Sequence, residues 1–156
     1  NKRVLVYDSD GNFVMQIGSE GLSPGQFEEP VGIAFDSQDK LYIADTWNQR
    51  IQVFEPNQDG SSYSSLRQWD VVGWYGESLE NKPFLAIDDQ DHVFATDPEA
   101  FRVIEFSNFG EFIRTWGDYG ISSENFGLAS AIAVDASGRV WVSDSANNRL
   151  MQFALP

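Results

Sequence analysis

The chain has one histidine, His92, and it follows the acidic run Asp88-Asp89-Gln90-Asp91. An imidazole beside carboxylates moves protons near neutral pH and is a common zinc ligand, but a single imidazole without further strong ligands makes no zinc centre. His92 is therefore read as a surface turn residue ahead of a strand. The absence of cysteine removes thiolate nucleophiles, thiolate metal sites and disulfides. No serine stands in a Gly-x-Ser-x-Gly elbow or has a second histidine to pair with. Glu28-Glu29 and Asp88-Asp89-x-Asp91 read as solvated turns rather than acid and base pairs. Asp8, Asp10 and Asn12 mimic the first three ligands of a calcium loop, but the sixth-position glycine and twelfth-position glutamate of such a loop are missing. With Gly11 among them they read as a hairpin turn, so no metal site and no cofactor are expected. A last arrangement is repeated: Asp45, Asp97 and Asp144 each precede an arginine, Arg50, Arg102 and Arg149, by five residues. Each pair is expected to make a charge-assisted hydrogen bond tying two strands together, a structural role.

The elements that must position these residues are copies of one unit. Its clearest copy runs from Glu29 to Phe54, with strands expected over Val31 to Asp36, Leu41 to Asp45 and Arg50 to Phe54, and a polar corner at Thr46 to Asn48. Ile33-Ala34-Phe35-Asp36 recurs as Leu85-Ala86-Ile87-Asp88 and Ile132-Ala133-Val134-Asp135. The third strand occurs four times, beginning at 1, 48, 100 and 147, at intervals of 47, 52 and 47 residues. Repetition at this period without a helical pattern signals a solenoid or a propeller, and four short strands per unit favour the propeller. The expected fold is all-β, a propeller arc of about three blades. Residues 1–27 form the outer hairpin of a first blade, 28–73 and 80–117 two blades, and 128–156 three strands of a last one. The 52-residue interval is assigned to a lengthened, flexible hairpin loop around Gly60 to Ser65, before a strand over Gln68 to Val72.

These residues resemble the NHL repeat family, whose pattern runs from a phenylalanine through Pro-x-Gly-Ile-Ala-Val-Asp and a strand ending in Ala-Asp to Asn-x-Arg-Ile. Phe27, Pro30, Gly32 to Asp36, Ala44-Asp45 and Asn48 to Ile51 match it, and so do Phe126, Ile132 to Asp135, Asp144 and Asn147 to Arg149. The middle copy departs: Phe84 stands where the pattern has glycine, Pro83 is one place late, and Ala100 replaces the asparagine. Phe84 is expected near the central channel. The resemblance implies a six-bladed ring, of which about half is present. Two chains are then expected to close the ring as a homodimer, or other blades of a longer chain to complete it. Acidic, tryptophan-rich arrays of this kind are similar to C-terminal extracytoplasmic domains of some bacterial membrane proteins, which implies an extracytoplasmic or cell-surface setting. Some similar propellers are lyases or lactonases with zinc or calcium at the channel mouth, so a calcium-dependent hydrolase or lyase is the alternative function.

Composition narrows the partners. Among 156 residues, 24 acidic and 10 basic side chains give a formal charge of −14, which repels phosphate backbones and anionic headgroups. Nucleic acid is not expected as a partner, and with no run of about 18 apolar residues neither is direct membrane insertion. Crossings between blades and the corners between second and third strands emerge on one rim. There Trp47, Trp74, Tyr75, Phe101 and Tyr119 are the candidate ligand-binding residues, suited to sugar faces or peptide side chains. Glu28, Glu29, Glu77, Asp118 and Glu124 would surround them and favour a cationic or neutral partner. Trp69, Trp116 and Trp141 are assigned to the core. The function expected is a non-catalytic scaffold binding protein or glycan.

Overall fold

A strand covered on both faces reads as a near-continuous apolar run, and Leu41–Asp45 is one apart from the polar residue that ends it, with all five residues buried. The same holds for Val93–Asp97. The computed structural model describes residues 1–74 and 81–155, and it places these two strands in the middle of a row of stacked sheets. β1 (Val4–Tyr7) and β2 (Phe13–Ile17) form an antiparallel hairpin. The crossing beyond β2 carries β3 (Ser19–Glu20) and β4 (Gln26–Phe27), paired in parallel. A four-stranded antiparallel meander comes next, of β5 (Pro30–Phe35), β6 (Leu41–Asp45), β7 (Arg50–Pro56) and β8 (Tyr63–Asp70). A second meander repeats it with β9 (Leu85–Ile87), β10 (Val93–Asp97), β11 (Arg102–Phe106) and β12 (Phe112–Trp116). Three more strands end the described chain: β13 (Ala129–Val134), β14 (Arg139–Asp144) and β15 (Arg149–Ala154).

Alternation within each second strand staples one sheet to both neighbours. Leu41 and Ile43 join Phe54, Phe27 and Ile17 in a cluster roofed by Val4, Val6 and Met15 of the N-terminal hairpin. Tyr42 and Ala44 face the other way, into a cluster with Ile51, Val53, Trp74, Val93, Ala95, Ile104 and Phe106. A third cluster joins Phe94 and Val103 to Phe126, Val140, Val142 and Met151 of the last sheet. The core is therefore a set of layers between blades, each built from two sheets distant in sequence.

One feature differs from the sequence expectation. The extra residues of the longer repeat extend the hairpin's strands rather than its loop: β7 and β8 pair as far as Pro56 and Tyr63, leaving only residues 57–62 as the connection. Two of the crossings carry a short parallel pairing, β3 with β4 and the bridge from Tyr119 to Phe126. Sequence pattern does not announce a two-residue parallel pair, because it has no period to read.

Inner strands of adjacent blades come close at one glycine. A Cβ on Gly32 would lie 2.9 Å from the Cα of Phe84, 3.0 Å from the nitrogen of Leu85 and 3.0 Å from the carbonyl oxygen of Pro83, all main-chain atoms that cannot swing aside. Gly32→Ala is expected to lower stability by about 1–3 kcal/mol through overpacking, read as a lower urea midpoint at unchanged slope.

Candidate functional site

The three Asp–Arg pairs sit where the second strand turns into the third. Two of these corners are single 3-10 turns, Thr46–Asn48 and Ser145–Asn147, closed by left-handed Gln49 and Asn148. Asp45 is fully buried, and burying a carboxylate is costly unless its oxygens are hydrogen-bonded. One oxygen, Oδ2, accepts from Arg50 Nε (2.9 Å), Asn48 Nδ2 (2.8 Å) and Gln52 Nε2 (3.1 Å). The other accepts the backbone N–H groups of Glu28 (2.9 Å) and Glu29 (3.3 Å). Arg50 then donates to the carbonyls of Leu22, Ser23 and Gln26 and to Gln68 Oε1. The last repeat is the same in kind. Asp144 accepts from Arg149, Asn147 and the N–H groups of Gly127 and Leu128, and Arg149 donates to the carbonyls of Ile121, Ser122 and Asn125. Each pair thus ties down the whole incoming crossing as well as two strands of its own blade. Burial pushes the Asp144 carboxyl up, but the donated hydrogen bonds outweigh it and hold the group below its ordinary value.

The middle repeat keeps the pair, with fewer partners around it among the described residues. Arg102 Nε donates to Asp97 Oδ2 at 2.9 Å, and among the described residues its guanidinium reaches one carbonyl, that of Val72. Asp97 Oδ1 is buried with no hydrogen-bond partner among the described residues. Burial accordingly raises the Asp97 carboxyl, only partly offset by Arg102. Ala100 supplies no amide where Asn48 and Asn147 do, and the left-handed corner residue is the bulky Phe101, with φ of 55°.

The four aromatic candidates among the described residues, Trp47, Trp74, Phe101 and Tyr119, do not form one surface. Trp74 is 2% exposed and donates its indole N–H to the Thr96 carbonyl, which corrects its assignment as a ligand residue. It fills the layer between the two full blades, as Phe27 and Phe126 fill the layers on either side. Gly73 admits it: a Cβ there would meet Arg102 Nη2 at 2.5 Å and Asp97 Oδ2 at 2.8 Å. Phe101 is half-buried against the last core layer, with Tyr119 edge-on at 4.8 Å. Trp47 (40%) and Tyr119 (71%) are exposed, on different blades. Tyr75 and Glu77 lie outside the described residues. Of the tryptophans assigned to the core, Trp69 and Trp116 pack between rings, whereas Trp141 is half-buried and its indole caps Asp135.

The structure adds a constellation that the sequence reading misses. The aspartate that ends each first strand caps the turn after it. Asp36 Oδ1 accepts the N–H groups of Gln38 and Lys40, Asp88 those of Gln90 and His92, and Asp135 those of Ser137 and Arg139. Its other oxygen faces a basic side chain four residues on: Lys40, His92 or Arg139. His92 is therefore the middle copy of a turn device and not a bare surface residue. Its Nδ1 lies 3.2 Å from Asp88 Oδ2 and 3.4 Å from Glu105 Oε1. Glu105, buried where Val53 stands in the preceding blade, pairs with Arg114 at 2.8 Å, and burial raises its carboxyl against the pull of Arg114 and His92. The group borders a cavity of about 430 Å³ on the rim opposite the crossings. The Asp-x-x-x-basic spacing in all three copies is the signal in the sequence. The Asp8 turn is capped in the same way, its carboxylate accepting from Asp10 and Asn12.

The NHL repeat model matches residues 27–54 and 126–153, the two copies in which the Asp–Arg network is complete. The chain carries NHL repeats. It is 27% identical over 162 residues to peptidyl-glycine alpha-amidating monooxygenase B of Xenopus laevis, a match covering 99% of this chain and 18% of that protein. Among solved structures, a protein from Bacteroides caccae superposes with a TM-score of 0.71 at 12% identity, over 99% of this chain and 50% of that one. Virginiamycin B lyase from Staphylococcus aureus does so at 0.57 and 12%, over 99% and 49%. These likenesses show an all-β partial propeller. The NHL chain spans under a fifth of the monooxygenase and about half of each solved structure.

The NHL network carries two expectations. Asp45→Ala, which strands a nearly buried guanidinium, is expected to cost about 3–5 kcal/mol, and Asp97→Ala less, since Arg102 keeps 30% of its side-chain surface in water against 6% for Arg50; paired urea titrations measure the difference. Because the folded Asp144 carboxyl is held below its ordinary 3.8, its contribution is present above that value and is lost as pH falls through the lower folded value. The stability gap between wild type and Asp144→Asn should therefore close on acidification. Asp97, raised when folded, contributes with the opposite sign, favouring the folded state more as pH falls from its raised folded value to the unfolded 3.8, a window above that of Asp144.

Proposed function

We propose that this NHL arc is a non-catalytic binding scaffold that presents the crossing rim of its blades to a protein partner, with a glycan as the other ligand class. The observation that carries the reading is the anchoring of the crossings. Arg50 and Arg149 each hold three crossing carbonyls against a buried carboxylate, so the rim is ordered before any partner arrives, which lowers the entropy cost of binding. Protein is favoured over glycan because Trp74 is committed to the core and Phe101 to Tyr119. The negative charge of the chain makes nucleic acid an unsuitable partner.

The arc acts as part of a closed ring in this proposal, in an extracytoplasmic or cell-surface setting. Ile33 and Phe35 at one end and Leu150 at the other lie exposed on sheet faces. Among the described residues β15 pairs only with β14, and a groove of about 580 Å³ lies between it and β12, lined by Trp116, Gln152, Phe153 and Leu155. Such a groove fits a fourth strand, and Phe13-Val14-Met15-Gln16-Ile17-Gly18 resembles the fourth strand Phe112 to Gly117. A second copy closes the ring, or further blades of a longer polypeptide do.

Light scattering on the 156-residue chain is expected to give twice its 17.5 kDa mass or, where its own further blades are what it lacks, a species that binds hydrophobic dye and aggregates. A compact, dye-silent monomer would contradict the closed ring. The melting temperature is expected to be indifferent to calcium and to chelation; a calcium-dependent rise abolished by chelator would instead favour a calcium-dependent hydrolase or lyase.

A further inference from the structure

Four strands of this chain take the same place in a blade, and two of them have opposite deficits. Lys2, Gln49, Phe101 and Asn148, just ahead of β1, β7, β11 and β15, share one left-handed φ, between 50° and 55°. β1, β7 and β11 each pair with a fourth strand in one register, with a bulge just after Val6, Val53 or Glu105. β15 has its second strand, β14, but among the described residues no fourth; β1 has its fourth strand, β2, but no second. What one end lacks, the other end carries. The free edge of β15, six residues long and already held in register by β14, is a template for another strand.

The exposed apolar side chains at the two ends occupy positions that the interior buries. Ile33 is 51% exposed, whereas Leu85, at the same place in the next blade, is 6% exposed in the layer against Tyr42 and Ala44. Leu150 is 71% exposed, whereas Ile51 and Val103 at the same place are fully buried. The hairpin of β1 and β2 covers Leu41 and Ile43 but leaves Ile33 and Phe35 open, because it has no first or second strand in its sheet. The sheet of β13, β14 and β15, set in front of them, supplies both strands and buries Leu150 in the same layer. Such a contact is head to tail, and two copies related by a half turn close it into a ring. The chain spans about half of the Bacteroides caccae and Staphylococcus aureus structures, the share that a pair requires.

At that seam β1 and β15 claim one place. β15 pairs with β14 over six residue pairs, and Arg149 ties it to Asp144 and to the crossing. β1 has four residues, pairs only with β2, and has no second strand to bring an aspartate to Arg3. Lys2 before it is held by Glu20 and Glu28 near the surface, where ion pairs contribute little. We propose that β1 gives way, and that β2 of one copy pairs with β15 of the other at both seams of a twofold ring. The register of the other blades sets the partners: Leu150 opposite Ile17, Met151 opposite Gln16, Gln152 opposite Met15, and Phe153 opposite Phe13. The proposal rests on the closed-ring reading and names the second copy, the exchanged strand and its register.

Cross-linking tests it on a chain that has no cysteine of its own. Residues directly opposite on antiparallel strands lie about 4.5–5.5 Å apart between Cα atoms, within reach of a disulfide. Met15→Cys with Gln152→Cys in one chain is expected to give, on oxidation, a band of twice the 17.5 kDa mass on a denaturing gel, lost on reduction and absent from either single variant. Val6→Cys with Met15→Cys, oxidised, bonds β1 to β2 within one chain. It is expected to stay a monomer in light scattering, with the doubled mass restored on reduction, and each reduced form is the folding control for its oxidised one. A doubled mass that persists in oxidised Val6→Cys, Met15→Cys overturns the departure of β1 and leaves the ring standing. A doubled wild-type mass without a cross-link between positions 15 and 152 overturns the strand assignment in the same way. A wild type that aggregates and binds hydrophobic dye overturns the pairing with a second copy while the ring stands, and a compact, dye-silent monomer overturns both.

Discussion

A carboxylate removed from water has to be surrounded by donors, and the blades of this protein are arranged around that requirement. Asp45 and Asp144 lie at the one point where a second strand, a third strand and an incoming crossing meet, and each draws donors from the corner, the third strand and the crossing. Replacing such a pair with apolar residues is often no loss of stability in itself. What the buried charge adds is discrimination: only one placement of the crossing satisfies both oxygens and the guanidinium. Placing the crossing delivers Phe27 or Phe126 into the layer between blades, so a polar constraint at the rim fixes the packing of an apolar core below it.

The middle repeat shows the effect of relaxing that constraint. Position 100 has no asparagine, and among the described residues Asp97 Oδ1 has no hydrogen-bond partner, while Arg102 is about as exposed as Arg149. The core layer is filled from another direction, by Trp74 directly after Gly73. Thr96 takes over part of the lost work, its hydroxyl accepting the Phe84 N–H and its carbonyl the Trp74 indole. The NHL model matches the repeats on either side of this blade.

Much of the fold is legible in the sequence, because sheets stacked face to face need apolar strands at a fixed period and turns that spell Asp-x-x-x-basic or Asp-Gly. The Asp–Arg spacing is visible for the same reason, being local. Trp74 misleads because an aromatic in a crossing looks alike whether it caps a core or faces solvent, and only the absence of a phenylalanine later in that crossing hints at its job. His92 misleads because Glu105, thirteen positions later, stands where its neighbours in other copies carry Val53 or Gln152. A buried charge on a strand needs a partner, and that inference is open to a reader of the sequence. The extra residues after Gly60 read as loop because glycine and serine dominate them, whereas pairing with β7 extends the strand.

Rim and core are joined, in this account, through two carboxylates, and recognition depends on crossings that do not move. Native-state hydrogen exchange probes that joint most directly. The N–H groups of Glu28, Gly127 and Leu128, each bonded to a buried aspartate, are predicted to exchange as slowly as the amides of β6 and β14, through opening of the whole sheet. Exchange at the rate of an ordinary surface loop, with β6 and β14 still protected, would contradict it.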